Sequence, residues 1–238
     1  LELWGKYQRH AWGYKGSCLL LLLVLSNLLL CQGNVCPSCG PDVFGVPLNF
    51  LRNTFSRVSR LSHDMHNLST RMYNEFEEKY SQSKPEYINA INDCHTNSLH
   101  APEEREKAEQ MNNEDLTKWI LMLQYLWTAP LVDLGTDHRI EKDLSDTIIS
   151  SALENIKKCE ILIKRVRNHY LLGIQIILPV RRILSEEHMY WSGYQSLLSS
   201  DEDARHSTLY NLFKCLRSDS RKVDMYSKIL ACRISDEC

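Results

Sequence analysis

Four stretches of this chain carry apolar residues at steps of three and four, and the polar links between them run long, short, long. From Pro47 the first stretch lines up Leu48, Leu51, Phe55, Val58, Leu61, Met65, Leu68, Met72 and Phe76 on one helical face. Pro47 suits a first turn, where a missing N–H is harmless, and Pro85 in "SQSKPE" stops the helix. A second helix is expected from about Asn113, with Leu116, Trp119, Ile120, Leu123, Trp127, Leu131 and Leu134 on one side and Pro130 kinking it. A third runs from about Asp146 through Ile149, Ala152, Leu153, Ile156, Ile163, Val166, Tyr170, Ile174 and Ile177. The fourth starts near Asp203 and carries Leu209, Leu212, Phe213, Leu216, Val223, Tyr226 and Leu230. No stretch alternates as a strand would.

The links set the topology. Residues 81–112 are polar, broken by Pro85 and Pro102, with Cys94 in the middle, whereas Gly135 to Ser145 is short. An irregular stretch, "SEEHMYWSGYQSLLSSDED", precedes the last helix. A short link forces antiparallel neighbours, and a long one can cross the length of a bundle, so helices one and two can run parallel, as can three and four. The expectation is an all-α, up-up-down-down four-helix bundle with two long crossovers. A further full helix within 81–112 would instead give up-down connections.

Lys6, Arg9 and Lys15 precede the leucine-dominated run "CLLLLLVLSNLLLCQG", which is too short for the ~20 residues that span a bilayer. We read residues 1–33 as a signal peptide cleaved after Gly33, leaving 34–238 as one secreted domain without a membrane anchor. A retained signal anchor is the alternative. Removing 1–33 takes three of the 28 basic and one of the 30 acidic residues, for a net charge of −4. No Lys/Arg run forms a phosphate-tracking stripe, so nucleic acid is not an expected partner. Seven cysteines remain, and export makes disulfides the default, with at least one thiol left over.

Catalytic signatures are missing: there is no glycine-rich phosphate loop, no G-x-S-x-G and no HExxH, so no enzyme and no cofactor are expected. Asp201-Glu202-Asp203 reads as capping and dipole complementarity ahead of a helix rather than a metal site. Cys36-Pro-Ser-Cys39 has redox or zinc half-site spacing, but with no second pair and no βαβ context it reads as a terminal disulfide or irregular pairing. Cys159 falls near the third helix's apolar stripe, as a buried free thiol would.

Segments of the chain resemble a known family. "CHTNSLHAPEEREKAEQMNNEDL", Cys94 to Leu116, and "CLRSDSRKVDMYSKILAC", Cys215 to Cys232, are similar to the signature segments of the prolactin and growth-hormone family. "SHDMHNLSTRMYNEFEEKY" resembles the first prolactin helix, and "DEDARHSTLYNLFKCLR" the start of the fourth. Within the family the likeness is nearest to the prolactin-related proteins of ruminant placenta. Growth hormone is itself one of the examples behind the two-crossover rule, so the agreement on topology is inherited rather than independent.

The resemblance implies a secreted, monomeric, non-enzymatic hormone acting on a class I cytokine receptor of prolactin-receptor type. It implies disulfides Cys94–Cys215 and Cys232–Cys238, and prolactins keep a small N-terminal disulfide loop in the region of Cys36 and Cys39, whose pairing stays open. Closing a loop of more than 100 residues, the first is worth roughly 4.7 kcal/mol in the chain-entropy model. The family's high-affinity receptor surface, on helices one and four plus the crossover, points here to His63, His66, Arg217, Lys222, Tyr226 and Lys228. Arg221 stands where prolactins carry a further contact histidine, and a permanent cation neither ligates metal nor titrates near neutral pH. Prolactins place a small glycine on helix three for a second receptor, and Arg165 occupies that place, with steric and desolvation costs. The competing reading is a secreted bundle that no longer signals and binds matrix, glycan or another extracellular partner.

"SHDMHNLSTRM", Ser62 to Met72, combines two histidines with Asn67-Leu68-Ser69, the sole N-glycosylation acceptor in 34–238. At about 100° per residue, His63 and Asn67 each lie about 160° from the buried Met65 direction and His66 about 100° from it. All three are therefore expected on or beside the solvent face. Zinc needs three or four ligands, and His63 and His66 offer two, so no metal site is expected.

Overall fold

The computed structural model describes residues 48–81, 94–167 and 191–235, all within one unit, Phe44–Cys238. The signal segment, Cys36, Cys39, Cys238, the middle of the first crossover and the third helix beyond 167 lie outside the described residues. Four long helices dominate: α1 (Leu48–Phe76, closed by a π turn at Glu77–Ser81), α3 (Asn113–Thr136), α5 (Asp146–Arg167) and α7 (Glu202–Ser235). Shorter turns of helix sit in the links: a 3-10 turn at Asn97–Leu99, α2 (Arg105–Glu109), α4 (His138–Glu141) and α6 (Tyr194–Leu197).

The helix boundaries follow from local chemistry. Asn112 caps α3, its side-chain oxygen accepting from the Asp115 N–H at 2.8 Å, and Glu114 and Asp115 complement the dipole in the first turn. Ser145 does the same for α5, accepting from Ile148 N–H at 3.2 Å. Asp201 opens α7, its carboxylate accepting from Asp203 N–H at 3.0 Å. Pro130 lies inside α3 and cannot donate to the carbonyl of Leu126. His95 Nε2 reaches that carbonyl instead, at 3.4 Å, with its ring stacked edge-on to Trp127.

Cross-helix contacts give the sense of each helix. Along α1 and α7, Arg52 meets Ile234, His66 meets Ser220 and Tyr73 meets Tyr210, so the two run antiparallel. Asp64 meets Lys158 and Ser69 meets Asn155, which makes α1 and α5 antiparallel too. Asn113 with Arg233 and Trp127 with Asp219 set α3 against α7. Thus α1 and α3 point one way and α5 and α7 the other. The chain is a helical bundle, and α3 and α5 approach closely at Gly135, where a Cβ would sit 3.0 Å from the Leu153 side chain.

The core divides into two apolar clusters. One gathers Leu51, Phe55, Val58, Leu116, Ile120, Leu123, Leu162, Val223 and Leu230. The other gathers Met72, Phe76, Leu131, Leu134, Ile148, Ala152, Leu209 and Phe213. Near their junction lie buried polar groups that apolar periodicity does not announce. Ser69 donates to Met65 O at 2.8 Å and accepts from Asn155 Nδ2 at 3.2 Å. Asp219, 2% exposed, accepts from Thr96 Oγ1 at 2.6 Å and Trp127 Nε1 at 2.9 Å and pairs with Lys222 at 3.2 Å. One carboxylate thus joins the crossover, α3 and α7. A second junction pairs Asp143 with Arg205 at 2.7 Å, both buried, and binds the α4–α5 link to the start of α7. Burial alone would raise the Asp143 carboxyl, but the Arg205 hydrogen bond and charge hold it below its ordinary value.

Cys94 and Cys215 are joined, 121 residues apart in sequence, tying the crossover to α7. Cys232 is disulfide-bonded, with its partner outside the described residues. Cys159 is a free, buried thiol, and burial pushes it up to about 12. No described helix is long and apolar enough to cross a membrane.

Candidate functional site

The face shared by α1 and α7 carries most of the residues singled out from sequence. His63 is exposed, with Nδ1 3.7 Å from the Asp224 carboxylate and 3.5 Å from Lys228 Nζ. Lys228 closes this surface cluster with a 2.7 Å bond to Asp224. His66, one turn on, is half-buried, and its Nδ1 lies 3.1 Å from Ser220 Oγ. Ser220 donates its own proton to Arg217 O at 3.0 Å, so it accepts from His66, whose Nδ1 carries the hydrogen. Burial lowers the His66 pKa. Asp224 opposes that shift, while His63, Lys228 and Arg221 add to it. Among the described residues no group of three His, Cys, Asp or Glu is arranged to hold a metal ion.

Arg217 lies over the Tyr73 ring, 3.9 Å from its centroid, and Tyr73 donates to Glu77 at 2.6 Å. Arg221 is exposed and reaches the carbonyl of Glu103 in the crossover at 3.5 Å. Asn67 is exposed on α1, so a glycan attached there would stand beside both histidines.

Two of the expected contact residues point elsewhere. Tyr226 is fully buried and its hydroxyl donates to Pro102 O, while Lys222 is 6% exposed and held between Glu103 at 3.1 Å and Asp219 at 3.2 Å. The correction has a simple cause. Residues 101–104 lie over this part of α7, so both side chains anchor the crossover. The Lys222 hydrogen bond and charge hold the Glu103 carboxyl below its ordinary value. Tyr226 and Lys222 therefore shape the site from beneath rather than present themselves on it.

The α1–α5 edge is a separate surface. Lys158 bridges Asp64 at 3.0 Å and Glu154 at 3.4 Å. Arg165 sits two turns further along the same stripe, half-buried, with its Nε buried and lacking a hydrogen-bond partner. A cationic side chain thus occupies the place where the resemblance puts a glycine.

Sequence reasoning missed Lys214, Thr70 and Ser218, which with His66, Arg217 and Arg221 line a groove of about 440 Å³ between α1 and α7. The signal was available as the spacing of Lys214, Arg217 and Arg221 at i, i+3 and i+7, one helical stripe. It also missed Asp219 and His95, because only the folded crossover brings their partners to them.

The somatotropin hormone family model matches residues 23–238. Chorionic somatomammotropin hormone 2 of Bos taurus is 53% identical over 235 residues, covering 98% of this chain and 98% of that protein. Placental prolactin-related protein 2 of Bos taurus is 52% identical over 217 residues, covering 91% of this chain and 80% of that protein. These relatives are hormones and not enzymes. The resemblance stated from the cysteine-anchored segments is therefore shown across nearly the whole chain, which belongs to the somatotropin hormone family.

Proposed function

We propose that this protein is a secreted hormone that engages a class I cytokine-type receptor through the α1–α7 face and the crossover packed on it. Hormones of its family act through such receptors. The observation that carries the reading is the ridge formed by His63, His66, Arg217, Arg221 and Lys228, exposed or half-exposed on two helices joined by the Arg52–Ile234, His66–Ser220 and Tyr73–Tyr210 hydrogen bonds. Lys222 and Tyr226 support it from below by fixing residues 102–103.

Arg165 limits the response. A second receptor docking on the α1–α5 edge would have to bury a charged side chain where close approach needs a small one. The protein therefore binds one receptor and does not dimerise the prolactin receptor. Its N-terminal 33 residues direct secretion and are removed, Cys232 pairs with Cys238, Cys36 pairs with Cys39, and Asn67 carries a glycan.

The test is binding of the purified, glycosylated protein to a panel of class I receptor ectodomains. Tight binding to one of them, weakened about tenfold or more by Arg221→Glu, is the expected result. Asn67→Gln should raise that affinity by removing a glycan that overhangs the contact surface. Potent proliferation of cells that depend on the prolactin receptor would contradict the proposed loss of dimerisation. Capture of matrix proteins alone would favour the non-signalling reading.

A further inference from the structure

The groove lined by His66, Thr70, Lys214, Arg217, Ser218 and Arg221 has a chemistry that receptor contact does not require. Three of its six lining residues are cations and none is a carboxylate, on a chain whose formal net charge is −2. Lys214, Arg217 and Arg221 fall within about 60° of one another around α7 and span about 10 Å along its axis. Arginine forks are suited to oxyanions, offering paired N–H donors to a planar or tetrahedral group.

A second observation concerns Thr70. Thr117, Thr128, Thr136 and Thr208 each donate to the carbonyl four residues back, at 2.7, 3.0, 2.8 and 2.7 Å. Thr70 lies within a helix as they do, yet its Oγ1 is buried with no hydrogen-bond partner. A buried hydroxyl left unpaired costs free energy that a bound acceptor would recover. Thr70 is one of the residues that line the cationic groove, and rotation of its side chain would turn the hydroxyl from its buried position toward a bound anion.

We infer that this groove binds the sulfate groups of a sulfated polysaccharide chain, with Arg217, Arg221 and Lys214 facing the anions and the Thr70 hydroxyl donating to one of them. The inference rests on the protein being secreted, since outside cells linear polyanions of this kind are the ones such a stripe would meet. The short reach of the stripe and the acidity of the rest of the chain make the site selective for a local run of sulfates rather than for net negative charge. Asn67 lies one turn from Thr70 on α1, so a glycan there would border the groove without occupying its floor.

The experiment needs no receptor, so its failure would leave the receptor reading standing. The full secreted protein, enzymatically freed of N-glycan, is titrated with a heparin-derived octasaccharide and with the same octasaccharide after desulfation. The wild type should bind the sulfated chain at an ionic strength of about 0.15 M and should bind the desulfated chain at least about tenfold more weakly. Arg217→Gln combined with Arg221→Gln should weaken binding about tenfold or more and flatten the log affinity against log salt slope by about two. Thr70→Val should weaken binding a few-fold with an unchanged slope. Arg57→Gln combined with Arg60→Gln, which removes two exposed α1 cations outside the groove, should leave binding intact. Circular dichroism checks that each variant is folded. Absence of binding by the wild type, equal binding of the desulfated chain, equal losses in the two double variants, or an unaffected Thr70→Val would each overturn the assignment.

Discussion

Pro130 takes a hydrogen-bond donor out of α3, and His95 supplies one to the carbonyl left behind. The ring is largely buried, and burial lowers the His95 pKa, with Asp219 and the bond to the Leu126 carbonyl opposing. His66 is lowered as well, also chiefly by burial. Both have folded-state values below the ordinary 6.5, so below that pH the unfolded chain takes up protons that the folded chain resists. Stability should therefore be unaffected well above pH 6.5 and should fall as the pH drops through the window beneath it. His95→Gln keeps a donor for the Leu126 carbonyl and does not titrate. Urea denaturation of this variant should show a shallower acid loss than the wild type; an identical pH profile would remove His95 from the explanation. Cys159 makes a second residue-scale prediction. As a buried thiol raised to about 12, it should resist maleimide in native buffer and react fully in denaturant. Ser69 bears on glycosylation, because the acceptor motif's hydroxyl is buried and bonded to Met65 O and Asn155. Any glycan on Asn67 must then be added before α1 forms, and the folded protein should not be an acceptor.

The four long helices were legible from apolar spacing because each buries a stripe along a length that few other structures can match. Their starts at Asn113, Asp146 and Glu202 agree with the expected starts to within a residue, since capping chemistry is local. Pairing between elements was less legible. The crossover's hold on α7 depends on Asp219, which looks like an ordinary polar helix residue until Thr96, Trp127 and Lys222 converge on it. Lys222 and Tyr226, which the resemblance placed on the receptor surface, lie buried beneath residues 102–103, a cover that neither the family segments nor apolar spacing announces. Asp219→Ala leaves a buried indole N–H and a buried hydroxyl without their acceptor and Lys222 paired with Glu103 alone. It should cost about 3–5 kcal/mol by urea denaturation. A loss under about 1 kcal/mol would mean that the disulfide alone seats the crossover.

At the scale of the molecule, a helical bundle of the somatotropin hormone family presents two distinct faces. The α1–α7 face is braced by the Cys94–Cys215 bridge and the Asp219 junction, and it carries the histidines, the cationic ridge and the groove. The α1–α5 edge carries Arg165 with a partnerless Nε. Family membership was legible from the cysteine-anchored segments, but the roles proposed for these faces depend on which side chains the fold leaves outside. On the proposed reading Arg165 blocks a second receptor on this edge, so Arg165→Gly should let a second receptor bind. The most direct measurement is the mass of the complex in solution. The glycosylated protein and the class I receptor ectodomain it binds are mixed with receptor in threefold excess and resolved by size-exclusion chromatography with light scattering. A 1:1 complex is expected for the wild type and a shift to 1:2 for Arg165→Gly. A 1:2 complex formed by the wild type, or no complex with any class I ectodomain, would contradict the proposed function.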